Sequence, residues 1–201
     1  MKSSLIIILF FLAGIILGQT GILPEEISFD RLSIIVLYVL MIFIGLSFGS
    51  DPRLPEILRS VSLKIMLVPV STIIGTFLGI LLYNWLIPGV GLKDSLAIGA
   101  GFGYYSLSGV LITQFSGEGM GTLALLANII REVISLLFAP VFSRYFGKTA
   151  PVSAAGATSM DTTLPVILKA SGKEYLIVSL VHGVALTIMV PFIIALIYKV
   201  L

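Results

Sequence analysis

Long uninterrupted apolar runs constrain this chain more than any other feature of its sequence. Residues 65–87 and 176–198 are two such runs, each dominated by Leu, Ile, Val and Phe. A helix of about 20 apolar residues crosses a bilayer core, and continuous runs do not alternate as barrel strands do. Only 11% of the residues are charged, against about 25% in soluble domains. The sequence therefore predicts an all-α integral membrane protein and excludes a water-soluble enzyme.

Charge and residue usage exclude several further classes of protein. The net charge of +2 is too small for a nucleic-acid footprint. The chain has no Cys and one His, which excludes disulfides, Cys nucleophiles and His-rich metal sites. We expect no metal, no other cofactor and no nucleic-acid partner.

Seven apolar segments follow one another with short connections, and we expect them to form a single membrane transport domain over residues 1–201. Their bounds are about 4–22, 32–49, 65–87, 95–115, 121–142, 150–168 and 176–198. The first begins just after Lys2, yet residues 18–21 offer no small-residue cleavage site. We interpret it as a retained helix and not as a signal peptide.

The fourth and sixth segments differ from the others because they are rich in small and polar residues. Residues 99–109 read GAGFGYYSLSG, and residues 154–165 read AAGATSMDTTLP. Such residues permit tight helix packing or an unwound backbone buried in protein or lining a cavity. Paired interrupted segments of this kind point to a transporter binding site. We expect both to be broken or re-entrant, beside about five transmembrane helices.

The distribution of basic residues favours the same arrangement. If all seven segments span, Lys and Arg divide almost evenly between the two sides of the membrane, against the positive-inside rule. If segments four and six enter and leave on one side, the inside carries a clear excess. It then comprises Lys2, Arg53, Arg59, Lys64, Arg144, Lys148, Lys169 and Lys173, against Arg31, Lys93 and Lys199 outside. The N-terminus is expected inside and the C-terminus outside.

Four ionisable residues fall within apolar segments, where a charge costs roughly 2.5–3.5 kcal/mol on insertion scales. Glu132 shares a helical face with Asn128 and Ser135. Arg131 is turned away from that face and could pair with Asp161 or neutralise part of a site. The alternative for the arginine is a purely structural ion pair.

Asp161 is flanked by hydroxyl residues in the run TSMDTTLP, where Pro165 prevents a regular helix. Between apolar segments this composition indicates a cation or proton site, although a surface loop would look similar. His182 is either a proton-relay group or a neutral packing residue. Two carboxyl groups in a low-dielectric site can exchange a proton for a cation.

The motifs GFGYYSLSG at 101–109, LLANIIRE at 125–132, GATSMDTTLP at 156–165 and VHG at 181–183 resemble the LysO-type lysine exporters of bacteria and archaea. The resemblance covers essentially the whole chain. It implies efflux of L-lysine and toxic lysine analogues, two required intramembrane acids at Glu132 and Asp161, and an outside C-terminus. Family members carry a further hydrophobic region before the matched part. We therefore expect a separately encoded small membrane subunit, or a homo-oligomer, to supply it.

The sequence thus predicts a secondary transporter of the cytoplasmic membrane that exports lysine, in exchange for protons, and is not an enzyme. Glu132 and Asp161 would bind the substrate ammonium groups or the proton, and Arg131 could face the substrate carboxylate. The expected polar coordination comes from Ser106, Ser108, Asn128, Thr158, Ser159, Thr162 and Thr163. Two alternatives are a pore-forming or assembly subunit and an intramembrane serine protease built on Ser108 and His182.

Overall fold

A computed structural model describes residues 62–87 and 89–201, together with isolated positions between residues 9 and 59. The first two predicted segments, the retained first helix and the position of the N-terminus lie outside the described residues. Within those residues the chain is helical and contains no strand, as the continuous apolar runs predict.

The described helices are named α1 to α6 in chain order. They are α1 Leu63–Leu86, α2 Leu92–Gly99, α3 Tyr105–Tyr145, α4 Ala150–Ala155, α5 Leu164–Ser171 and α6 Leu176–Val200. Two 3₁₀ turns, Gly156–Met160 and Lys173–Tyr175, connect α4 to α5 and α5 to α6.

Three helical stretches are long and apolar enough to cross a membrane: Leu63–Leu86, Tyr105–Tyr145 and Lys173–Val200. They cover, to within one residue at Leu86, the predicted segments 65–87, 121–142 and 176–198, so a long apolar helix is confirmed at each of these three places. Ser62 begins α1 by accepting a hydrogen bond from the amide of Ile65, which satisfies one donor of the first turn. The number of spanning helices in the whole chain stays a prediction.

The predicted segment 95–115 is broken and folds back on itself. Helix α2 ends at Gly99, residues 100–104 are not helical, and α3 then returns. The return is shown by Ser116 Oγ, which donates to Asp94 Oδ1 at 2.6 Å. We call residues 92–116 hairpin A and residues 100–104 its tip.

Helix α3 reverses direction at Gly117, which has φ 82° and ψ 174°. Its arms 105–116 and 118–145 pack antiparallel and in close contact. The contact is shown at Gly121, where a Cβ would lie 2.8 Å from the carbonyl oxygen of Gly109. Glycine is needed at both kinds of position, at the reversal for its positive φ and between the arms for the close approach.

The predicted segment 150–168 is also broken. Helix α4, the 3₁₀ turn and α5 form hairpin B, residues 150–171, with its tip at 156–163. Its two ends meet where Lys148 Nζ, just before α4, donates to the carbonyl of Ala170 at 3.2 Å. Pro165 lies in the first turn of α5, a position where its missing N–H costs nothing.

The hairpins enter the molecule from opposite ends. End A is where Tyr198 Oη, near the end of α6, donates to Asp94 Oδ1 at 2.7 Å. Asn84, near the end of α1, also reaches end A by donating to Ser95 at 2.8 Å. End B is the base of hairpin B beside Ala170. Helices α1 and α6 therefore run from end B to end A, and the arm 118–145 runs from end A to end B. Helix α1 is followed by hairpin A, and the arm 118–145 is followed by hairpin B. The chain thus contains a helix followed by a hairpin twice, in opposite directions.

Candidate functional site

The two hairpin tips meet in the interior of the molecule. The amide of Ala157 donates to the carbonyl of Phe102 at 2.8 Å. Gly156 has φ 67°, and a Cβ there would collide with the Phe102 carbonyl oxygen. A Cβ at Gly103, which has φ 88°, would lie 2.9 Å from the carbonyl oxygen of Ala155. The glycines predicted to permit unwound backbone therefore sit where two backbones touch.

Asn128 holds the tip of hairpin A. Its Oδ1 accepts from the amide of Gly103 at 2.7 Å, and its Nδ2 donates to the carbonyls of Ile98 at 3.1 Å and Ala124 at 2.9 Å. Ser108 Oγ lies 3.4 Å from the same Nδ2 and donates to the Tyr104 carbonyl at 2.8 Å. One side chain thus satisfies the amide of Gly103, which the broken helix leaves outside its hydrogen-bond pattern, and joins the arm 118–145 to hairpin A.

The polar face predicted on the fifth segment is buried against the rest of the protein. Asn128, Glu132 and Ser135 are all buried, and Glu132 has no exposed surface at all. Ser135 Oγ donates to the carbonyl of Arg131 at 2.8 Å. An enclosed carboxyl group therefore lies one helical turn from Asn128, which holds the tip of hairpin A.

Arg131 does not pair with Asp161, and that hypothesis is wrong for this structure. Its Nε donates to the carbonyl of Ala154 and its Nη2 to that of Ser153, both at 3.0 Å. These carbonyls belong to the last turn of α4, where helical carbonyls lack intrahelical partners and attract a cation. The guanidinium also lies 6.0 Å from the centroid of the Phe102 ring. The arginine therefore joins the spanning arm 118–145 to both hairpins.

Asp161 lies at the break of hairpin B, between the spanning helices and outside all three of them. Its Oδ1 accepts from the amide of Thr162 and from Thr162 Oγ1 at 3.2 Å. The side chain is exposed by surface area, yet protein atoms crowd the carboxyl group, and this desolvation raises the pKa of Asp161 above its usual range. Burial, together with the negative charge of Asp161, raises the pKa of Tyr104 to about 12. Asp161 therefore faces the tip of hairpin A.

The other hydroxyl residues have different surroundings. Thr163 Oγ1 donates to the Thr158 carbonyl at 2.8 Å, and Thr158 Oγ1 donates to the Ala155 carbonyl at 3.0 Å. Both hydroxyls therefore hold the tip of hairpin B together. Ser106 is half-buried in the first turn of α3.

His182 is fully buried between α1, α6 and the tip of hairpin B. Its Nδ1 lies 3.1 Å from Ser159 Oγ, which itself lies 3.0 Å from the Ser179 carbonyl. Its Nε2 lies 3.0 Å from Thr72 Oγ1, which lies 3.0 Å from the Val68 carbonyl. Each hydroxyl has one proton. In a neutral ring one nitrogen donates and the other accepts, so one of the two hydroxyls turns from its carbonyl to donate to the ring.

The serine-protease alternative required Ser108 and His182 to meet, and they do not. Ser108 is bonded to Tyr104 and Asn128, whereas His182 is bonded to Ser159 and Thr72. No nucleophile–base hydrogen bond joins the two side chains, and that is the contact a dyad needs.

A groove of about 560 Å³ opens beside Arg131. Sequence reasoning treated α1 as a plain spanning helix and missed its contribution. The groove is lined by Ser71, Thr72, Gly75 and Thr76 of α1, by Arg131 and Ser135 of α3, and by Ser153 and Ala154 of α4, with apolar residues of α3. The available signal was the run Ser71-Thr72 followed by Thr76, because the two threonines lie on one helical face. Among the described residues, no group of three or more His, Asp or Glu could hold a metal ion.

The sequence profile of the family described as "Lysine exporter LysO" matches residues 8–198. The chain belongs to this family. It is 33% identical over 190 residues to the "Lysine exporter LysO" of Escherichia coli, covering 94% of this chain and 52% of that protein. It is 29% identical over 180 residues to the "Putative lysine exporter" of Haemophilus influenzae, covering 89% of each. No solved structure matches the chain.

The chain thus spans about half the length of the Escherichia coli relative and most of the Haemophilus influenzae relative. The resemblance noted on four motifs is confirmed by a match over nearly the whole sequence. Exporters are transport proteins, so family membership agrees with a membrane transporter and not with an enzyme.

Proposed function

We propose that this chain exports L-lysine, and toxic lysine analogues, across the cytoplasmic membrane in exchange for protons. The observation that carries the proposal is the contact of two broken hairpins from opposite ends. The tip of hairpin B includes Asp161, and the tip of hairpin A is held by Asn128, one helical turn from the buried Glu132. Broken segments that meet inside a membrane protein, in units of opposite direction, are typical of substrate sites in secondary transporters. Membership of a family described as lysine exporters supplies the substrate.

The substrate groups have chemically matching partners around the tips. Asp161 is exposed and is accessible to a substrate ammonium group in this conformation. Arg131 lines the groove, and within the described part of the chain it uses two of its five N–H donors on hairpin B. Its remaining donors suit the substrate carboxylate. Five hydroxyl residues also line the groove: Ser71, Thr72, Thr76, Ser135 and Ser153.

The proton is assigned to groups that can change charge. Glu132 is enclosed, so a proton or cation reaches it only when the tips move apart. A carboxylate in such a site alternates between holding a proton and attracting a cation. His182 lies between Ser159 of hairpin B and Thr72 of α1 and is proposed as the relay between these two elements.

The direct test is lysine efflux from cells that lack other lysine exporters. We expect Asp161→Asn and Glu132→Gln each to abolish export, because each removes a charge and keeps the side-chain shape. Glu118→Gln is the matched control, since Glu118 is exposed at the reversal of α3, away from the tips. Wild-type export by the Asp161→Asn variant would refute the assignment.

Proton exchange is tested in proteoliposomes with an imposed pH gradient. Export by a carrier should follow the gradient and stop when an uncoupler removes it, whereas gradient-independent flux would support the pore alternative. Because the pKa of Asp161 is raised, its carboxylate form disappears as the pH falls through that raised value. Lysine binding should therefore weaken at low pH in the wild type and be weak at every pH in Asp161→Asn.

We propose that end B faces the cytoplasm. Arg144, Lys148, Lys169 and Lys173 lie there, whereas end A carries Lys93 and Lys199 together with Asp94 and Glu118. The positive-inside rule then places the C-terminus outside. Because the chain has no Cys, single-cysteine labelling is clean. Lys173→Cys should react only after permeabilisation, and Glu118→Cys in intact cells; the reverse pattern would contradict the orientation.

We also propose that the chain works in a membrane complex, with a separate small membrane subunit or with a second copy of itself. The motivation is the additional length of the Escherichia coli relative, of which this chain spans 52%; the Haemophilus influenzae relative, of which it spans 89%, has no such additional length. Native purification should recover an assembly larger than one chain. A fully active, solitary monomer would count against this proposal.

A further inference from the structure

A second concave site lies at end B, away from the hairpin tips. It is a pocket of about 590 Å³ between the last turns of α3 and α5. Arg144, Lys148 and Lys169 supply cationic side chains, and Pro140, Val166 and Ala170 supply an apolar wall. The lining contains three basic residues and no acidic one, which makes it a strongly positive pocket.

In the described part of the chain, hydrogen bonds to the carbonyl groups at the two helix ends account for only one of these three cationic side chains. Lys148 donates to the Ala170 carbonyl at 3.2 Å, and Ser143 donates to the same oxygen at 2.7 Å. Arg144 is exposed and lies over the Tyr145 ring, with its Cζ 5.5 Å from the centroid. Neither Arg144 nor Lys169 forms an ion pair with a carboxylate in the part of the chain that the structure describes. Two cations therefore remain available to an external anion.

The position and the mixed lining select one kind of anion. The pocket lies at the end of a helix long enough to cross a membrane, which is the level of lipid headgroups. Basic pockets between membrane helices bind the phosphates of anionic lipids. Inorganic phosphate would match the cations but would leave the apolar wall in water, whereas a phospholipid covers both.

We propose that this pocket binds the phosphate group of an anionic phospholipid, held by Arg144, Lys148 and Lys169 with an acyl chain against Pro140 and Val166. The bound lipid would sit against the base of hairpin B, where Ser143 and Lys148 fasten Ala170. The proposal does not depend on the substrate of the transporter.

Lipid retention by the purified full-length chain tests the proposal. The chain is exchanged into detergent with phosphatidylglycerol or phosphatidylcholine, and bound lipid is measured by native mass spectrometry. Each cation near an anionic headgroup contributes about fivefold to affinity. Arg144→Gln/Lys148→Gln/Lys169→Gln should therefore bind phosphatidylglycerol about a hundredfold more weakly. Lys93→Gln/Lys199→Gln at end A is the matched control and should bind it as the wild type does.

The charge-preserving variant Arg144→Lys/Lys148→Arg/Lys169→Arg should keep the lipid, which separates charge from a loss of folding. If the triple Gln variant does not fold, Arg144→Gln alone replaces it, because Arg144 gives up no hydrogen bond, and it should lose about fivefold. Unchanged phosphatidylglycerol binding in the Gln variants would overturn the proposal. Displacement of the lipid by millimolar inorganic phosphate would also overturn it and assign the pocket to a free phosphate. Equal retention of phosphatidylcholine would show that the cations do not select the headgroup.

Discussion

The contact between the hairpin tips makes Gly156→Ala the most informative single substitution. Gly156 has φ 67° and ψ −132°, a combination that L-residues rarely adopt. An added methyl group would collide with the Phe102 carbonyl oxygen and lie 2.9 Å from the carbonyl carbon. These atoms are backbone and cannot rotate away as a flexible side chain would. The tips must therefore separate, or the turn in hairpin B must change.

The cost follows from two local terms. A non-glycine residue held in a sparsely populated backbone region costs about 1–3 kcal/mol. Separating the tips breaks the hydrogen bond from Ala157 to Phe102, 2.8 Å long, which contributes about 0.5–1.5 kcal/mol. Together they predict a loss of about 1.5–4.5 kcal/mol in the free energy of unfolding. A chain of this size shifts its melting temperature by about 2–4 °C per kcal/mol, so we expect a decrease of about 3–18 °C.

Thermal unfolding of the purified protein in detergent measures the decrease, and lysine efflux measures its functional consequence. Gly79→Ala in α1 is the matched control, because a Cβ there meets nothing within 4 Å. Alanine in a helix interior is favoured over glycine by roughly 0.5–1 kcal/mol, so the control should be unchanged or slightly more stable. Export should fall in Gly156→Ala and stay at the wild-type level in Gly79→Ala. If both variants melt and export alike, the tips do not touch as described.

Three further predictions concern buried polar contacts. Asn128→Ala leaves groups of hairpin A without partners, so its unfolding free energy should fall by about 1–3 kcal/mol for each such buried group, measured by thermal unfolding. Thr72→Val removes the hydroxyl beside His182 and keeps the side-chain volume. We expect the free energy of unfolding to fall by about 0.5–1.5 kcal/mol and the pH profile of export to change. An unchanged profile would exclude His182 from the proton path. Arg131→Lys keeps the charge but loses the planar fork that reaches two carbonyls, so export should fall while the amount of protein in the membrane, checked by immunoblot, stays constant.

Much of the architecture could be predicted from local sequence. The apolar run 65–87 predicted α1, and the run 176–198 predicted α6, because about 20 apolar residues in succession have few alternatives to a membrane helix. The break in hairpin B followed from Pro165, and the break in hairpin A from the glycines around Phe102. These signals work because backbone freedom and helix termination depend on the residue itself and its immediate neighbours.

The sequence misled where a side chain had several chemically suitable partners. Arg131 could have paired with Asp161, but it lies against the end of α4 and donates to two carbonyls there. Ser108 and His182 are both suitable members of a dyad by type, yet Ser108 bonds to the Tyr104 carbonyl of hairpin A and His182 to Thr72 of α1. In each case the two residue types were chemically suited to pair, but several partners were equally suited. The chemistry alone therefore did not determine which contact forms.

The sequence by itself determined that this chain is a helical membrane protein with two interrupted segments and buried charges, because hydropathy and backbone freedom are local properties. Only the tertiary structure decided that the two hairpins enter from opposite ends and that their tips touch. It also decided that Thr72 reaches His182, 110 positions away in the sequence. Such pairings depend on the direction in which each segment folds back and on which helices then pack together, and no local pattern carries that information.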